Sequence, residues 1–107
     1  MTEEIYGVNL QGQITPLMVR DAVVECFRQA HCLDSGIGSD DKTINQEYCR
    51  EIVKKAFDDA GADFDSPTKE TILKALEGLK EFAKNFRNPS IIEKHYGEIM
   101  QLVNKLK

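Results

Sequence analysis

The chain has 107 residues, 41% of them hydrophobic and 30% charged, with a formal net charge of −4. These are the proportions of an ordinary globular protein, and a chain of this length buries about two-thirds of its unfolded surface without needing a staple. An acidic balance argues against a nucleic-acid surface, whose affinity comes from clustered Lys and Arg, and no run approaches the roughly 18 apolar residues of a membrane span.

Three cysteines at irregular spacing make no disulfide framework, so a reducing, cytoplasmic setting is expected. Glu3 and Glu4, with no basic region before an apolar run, do not read as a signal peptide. Residues 1–107 are expected to form one helical domain.

In chain order, residues 1–14 read as a short extended arm. Val8 and Leu10 alternate with polar residues, but no second strand is visible to pair with them. Thr15-Pro16 is a cap followed by a proline that needs no donor, and it opens a helix over about 16–33. Asp34 to Asp41 is a loop by composition. A second helix is expected over about 43–60, with Gly61 as its terminating residue, and residues 62–65 read as a polar linker.

Ser66-Pro67 repeats the cap-and-proline device and opens a third helix over about 67–87. At about 100° per residue, Phe82, Ala75, Phe86, Leu79, Ile72, Ala83 and Leu76 share an arc of roughly 120°. Lys69, Glu70, Glu77, Lys80, Glu81 and Lys84 hold the other side. Asn88-Pro89 stops that helix and starts a fourth over about 89–106, striped by Ile92, His95, Ile99, Leu102 and Leu106. These last two helices should fold back on each other and serve as the platform for the rest. The fold class expected is all-α, an antiparallel four-helix bundle in up-down-up-down order with an N-terminal arm.

The chemistry is mostly ruled out. Asp59 to Glu70 imitates a calcium loop at its first, fifth and twelfth positions but carries Phe64 where the sharp turn needs glycine. A carboxylate-bridged metal pair needs Glu-x-x-His, and the residues three before His31 and His95 are Arg28 and Ile92. Cys26, Cys32, Cys49 and His31 lack zinc spacing. Cys26 and Cys49 sit within apolar arcs as small core residues, and Cys32 faces away from the core. Gly36 and Gly38 are not followed by the Lys-Ser or Lys-Thr of a phosphate loop. No nucleophile is paired with a base, and no metal or cofactor is expected.

Two function classes remain. The first is a non-catalytic helical interaction module that binds a protein partner or itself. The alternative is a small-ligand-binding or weakly catalytic bundle with its site near His95 and Tyr96; His95 falls mid-arc on the fourth helix and should be a buried residue satisfied by one hydrogen bond.

The first class rests on the first helix. Val19, Ala22, Val23, Cys26, Phe27, Ala30 and Leu33 lie within about 140° of arc, yet Leu17 and Val24, one heptad apart, point nearly the opposite way. His31 continues them and Arg20 and Arg28 flank them, giving an apolar stripe with a basic edge. The cover expected for Leu17, Arg20, Val24, Arg28 and His31 is the chain's own arm through Ile5, Tyr6 or Leu10, or else a partner helix or a second copy; the remaining reading is that Leu17 and Val24 are ordinary exposed residues.

Overall fold

The computed structural model describes residues 4–35, 42–85 and 90–106, without the side chains of 32–35 and 42–46. The Asn88-Pro89 turn, Phe86, the Gly36–Asp41 stretch and the side chains of Cys32 and Leu33 lie outside the described residues. The elements are two short strands, β1 (Glu4–Ile5) and β2 (Val8–Asn9), and four helices, α1 (Pro16–Ser35), α2 (Lys42–Asp59), α3 (Lys69–Ala83) and α4 (Ser90–Val103). The four helices pack together around one cluster of buried apolar side chains.

The N-terminal residues form a hairpin where an extended arm is expected. Ile5 pairs with Val8 and Glu4 with Asn9, antiparallel. The two residues between, Tyr6 at φ 50° and Gly7 at φ 81°, are both left-handed, as the two-residue turn that matches strand twist requires. Strands of two residues are too short to show an alternating pattern, which is why the pairing is invisible in the sequence. Asn9 then ends the hairpin by accepting the Gln11 N–H on its side chain at 2.9 Å.

The helix ends follow from local hydrogen bonding. Thr15 accepts the Met18 N–H on its hydroxyl at 3.3 Å and starts α1, which runs on to Ser35, into the stretch read as loop. The α2 C-terminus is a Schellman turn. Gly61 N–H reaches Asp58 O at 3.0 Å and Ala62 N–H reaches Phe57 O at 2.9 Å, with Gly61 at φ 71° supplying the left-handed residue.

The third helix starts two residues later than the sequence reading. Thr68, not Ser66, caps it, exchanging bonds with Thr71 in a capping box, while Ser66 N–H is turned back to Asp63 O at 3.2 Å. Two threonines three apart satisfy two orphan donors at once, which outweighs the single hydroxyl of Ser66.

The expected platform also differs. α1, rather than the α3–α4 pair, is the helix that meets α2, α3, α4 and the hairpin, and its closest partners are α4 and α2. Its sequence permits this, since Val19, Ala22, Val23, Val24, Cys26, Phe27 and Ala30 are all buried and ring the helix on more than one side. The pair α3 and α4 meets at Lys80 against Tyr96, and Lys69 at the start of α3 bonds the Leu106 carbonyl just past the end of α4.

Residues 62–65 are no plain polar linker. Phe64 is 4% exposed, stands edge-on to Phe57 at 5.5 Å, and is covered by the Arg20 guanidinium 4.4 Å from its ring centre.

Candidate functional site

The α1 stripe is largely used inside the chain. Leu17 is 48% exposed, but Arg20, Val24 and Arg28 are buried and His31 is half-buried. Arg20 donates from Nη1 to Phe64 O at 2.9 Å and from Nε and Nη2 to Asp21 Oδ1. Arg28 grips Glu25, which also takes a bond from Gln29. His31 lies with its ring 5.3 Å from that of Tyr48 on α2. Val24 shares a charged cleft with Arg20, Asp21, Glu25 and Arg50 of α2.

Arg20 is thus covered by the α2–α3 link and His31 meets α2, Val24 is buried within the chain, and Leu17 stays exposed. A helical wheel with one buried arc assumes a helix at the edge of the fold. For a central helix, residues opposite the main arc meet a second neighbour instead of solvent.

The hairpin covers the other side of α1 and gathers Tyr6, Cys26 and His95. His95 is 7% exposed. Its Nδ1 lies 2.9 Å from the Ile91 carbonyl, which can only accept, so Nδ1 carries the proton. Tyr6 lays its ring over the imidazole, with centroids 6.3 Å apart and planes at 24°. The Tyr6 hydroxyl and the Cys26 thiol both point at the His95 carbonyl oxygen, each at 3.5 Å.

Burial pushes the Cys26 thiol up to about 12. It also pushes the Tyr6 phenol well above its ordinary value, with Cys26 the next contributor. A thiolate is the nucleophile and a thiol is not, and here the Cys26 thiol donates to the His95 carbonyl oxygen. Tyr96 is half-buried under Lys80, whose Nζ is 4.8 Å from the ring centre. Burial first, then Glu77, raise its phenol. The apolar cleft that Tyr96 shares with Val23, Cys26, Leu79 and Ile99 has room for about one water molecule. Among the described residues, no three His, Cys, Asp or Glu side chains converge as a metal site requires.

The larger apolar recess lies elsewhere, between α2 and α3. Ile52 and Ala56 of α2 and Gly78, Leu79 and Phe82 of α3 line it, with Lys55 and Asp59 on its rim. Ile52, Ala56 and Phe82 are half-buried, on the boundary between their helices' apolar and polar sides. Tyr48, four residues before Ile52 and so on the same side of α2, is 52% exposed.

The sequence reading placed Phe82 in the core, because a boundary residue cannot be told from a buried one until the neighbouring helix is placed. Gly78, a glycine in the middle of α3, lies on the floor of this recess. No known protein family, curated protein or solved structure matches this chain.

Proposed function

We propose that this chain is a non-catalytic helical interaction module that binds a protein partner or a second copy of itself, and that it does so through the α2–α3 groove. The observation that carries this reading is the groove's composition, an apolar floor and walls from Ile52, Ala56, Gly78, Leu79 and Phe82 bounded by Lys55 and Asp59. An apolar centre with a polar rim is the anatomy of a protein interface. Leu17 and Tyr48 add exposed apolar surface on α1 and α2. The groups that a catalyst would use near His95 are engaged internally, Nδ1 by Ile91 O and the Cys26 thiol by His95 O.

An up-down-up-down antiparallel order within one domain is part of the same proposal. It is supported by α1 meeting α2 head to tail, with Arg20 against Phe64 beyond the end of α2 and His31 against Tyr48 near its start. A cytoplasmic setting is supported by Cys26, which is buried and carries a free thiol.

Site-specific photo-crosslinking tests the reading in cells that express the chain. A benzophenone side chain at position 82 should capture protein, while the same group at Glu77, on the exposed side of α3, should not. Equal capture at both positions, or none at 82, overturns the groove as an interface.

A further inference from the structure

We propose that the occupant of the α2–α3 groove is a second copy of this chain, related by a twofold axis that brings α2 antiparallel to its own copy; the proposal rests on the interaction-module reading. A twofold interface uses one patch on both partners, so the patch must complement itself. A groove with a rim of one charge sign would select an oppositely charged partner. This rim carries one of each, Lys55 and Asp59, one helical turn apart on the same side of α2.

An antiparallel copy centred on that turn places Lys55 of each protomer against Asp59 of the other, and does so twice. Both side chains are available for this. Glu70 pairs with Lys74 and Glu81 with Lys84 along α3, whereas among the described residues neither Lys55 nor Asp59 forms an ion pair.

The floor of the groove leaves room for close approach. Gly78 weakens α3 relative to alanine, since glycine is a poor residue in a helix interior. Neither its backbone nor the packing within the chain requires it. Its φ is not among the positive values, and an added Cβ would stand 3.7 Å from the Ala56 Cβ, an ordinary contact. A helix that seats directly on Ala56 and Gly78 accounts for both small residues, because small side chains let another backbone come close. Ile52 and Phe82 then wall the incoming helix.

Charge reversal tests the symmetry itself. In sedimentation over a concentration series, the wild-type chain should self-associate to a dimer. Lys55→Asp and Asp59→Lys should each weaken the dimer by about tenfold or more, because a twofold axis counts every repulsion twice. The doubly substituted chain should recover near wild-type affinity, and an equal mixture of the two single variants should form a heterodimer that neither forms alone. Ala56→Arg, which fills the floor, should leave a monomer of unchanged helicity by circular dichroism.

A wild-type chain that stays monomeric while position 82 crosslinks to a different protein overturns the second copy and leaves the interaction module standing. A dimer indifferent to both charge reversals and to Ala56→Arg overturns this interface. A monomer with no crosslink at position 82 overturns both.

Discussion

Tyr6 and His95, 89 residues apart in sequence, stack with ring centres 6.3 Å apart, and the Tyr6 hydroxyl reaches back to the His95 carbonyl. The residue at the tip of the hairpin thus fixes the hairpin to α4. Tyr6 sits at φ 50°, a conformation that bulky residues rarely adopt, and its contacts with His95 and Cys26 hold it there. The turn's other residue has no such compensation to lose. Gly7→Ala should destabilise the fold by about 1–2 kcal/mol, the cost of a left-handed residue with a Cβ, even though open space surrounds the site. Tyr6→Ala should remove a further aromatic contact worth roughly 0.5–1.5 kcal/mol. Urea melts measure both, and a neutral Gly7→Ala would mean the hairpin adds nothing to stability.

The same cluster makes the fold sensitive to alkali. Burial raises the Cys26 thiol from its ordinary 9.0 to about 12 and raises Tyr6 as well. For an acid raised in the folded state, the unfolded chain loses its proton first. The stabilising contribution is therefore complete below about pH 9 and drains away as pH rises from there toward the folded values. The urea midpoint should fall steadily above pH 9, and Cys26→Ala should fall less steeply over the same range. In the native protein, Cys26 should also react with a thiol reagent at pH 8 far more slowly than in the unfolded chain. A wild-type slope equal to that of Cys26→Ala would show that the thiol is not held neutral by the fold.

Phe64 is the second anchor, tying the α2–α3 link to α1. It meets Phe57 edge-on and lies under Arg20, with Arg50 at 5.2 Å on the ring as well. Phe64→Ala should cost about 3–5 kcal/mol, the usual range for emptying a buried aromatic site. Arg20→Lys keeps the charge but loses the planar fork that bonds Phe64 O and Asp21 while covering the ring, and should cost about 1–3 kcal/mol. If thermal melts place Phe64→Ala among surface substitutions, the link is not part of the core.

Helical periodicity made much of the fold legible. Ile72, Leu76, Leu79 and Ala83 on α3, and Ile92, His95, Ile99 and Leu102 on α4, are buried at the spacing their sequence shows. Gly61 marks the end of α2, and its positive φ is the reason a glycine stands there. Three features were not legible, for different reasons. The hairpin has two residues per strand, and its turn is Tyr6-Gly7 instead of the Asn-Gly that advertises itself. Phe64 is a lone aromatic among polar residues, and its burial depends on Arg20, 44 residues away. The central place of α1 depends on which helices pair, which amphipathic stripes alone do not encode. The groove could not be read for the same reason, since Ile52 and Phe82 become a boundary only once α2 and α3 are side by side.

The buried and exposed sides of α3 can be separated by one pair of variants. Leu79 is 4% exposed and touches both the apolar cleft beside Tyr96 and the groove. Leu79→Ala should cost about 2–5 kcal/mol. Lys80 next to it is exposed and rests on the Tyr96 ring, so Lys80→Ala should cost at most about 1 kcal/mol, the strength of an exposed cation–π contact. Denaturant melts that rank the two equally would contradict this orientation of α3.

The α1 stripe supplies the sharpest contrast, because its two aliphatic members sit in opposite environments. Leu17 is 48% exposed and Val24 is 5% exposed. Leu17→Ala removes the larger side chain yet should change stability by no more than about 0.5 kcal/mol, as surface substitutions do. Val24→Ala removes only two methyl groups, and at about 0.8 kcal/mol for each buried carbon plus the cavity left between α1 and α2, it should cost about 2 kcal/mol. Size alone orders the two variants one way and burial orders them the other. Equal losses in urea melts, or a larger loss for Leu17→Ala, would return Val24 to the surface and reopen the whole stripe as a contact for a partner.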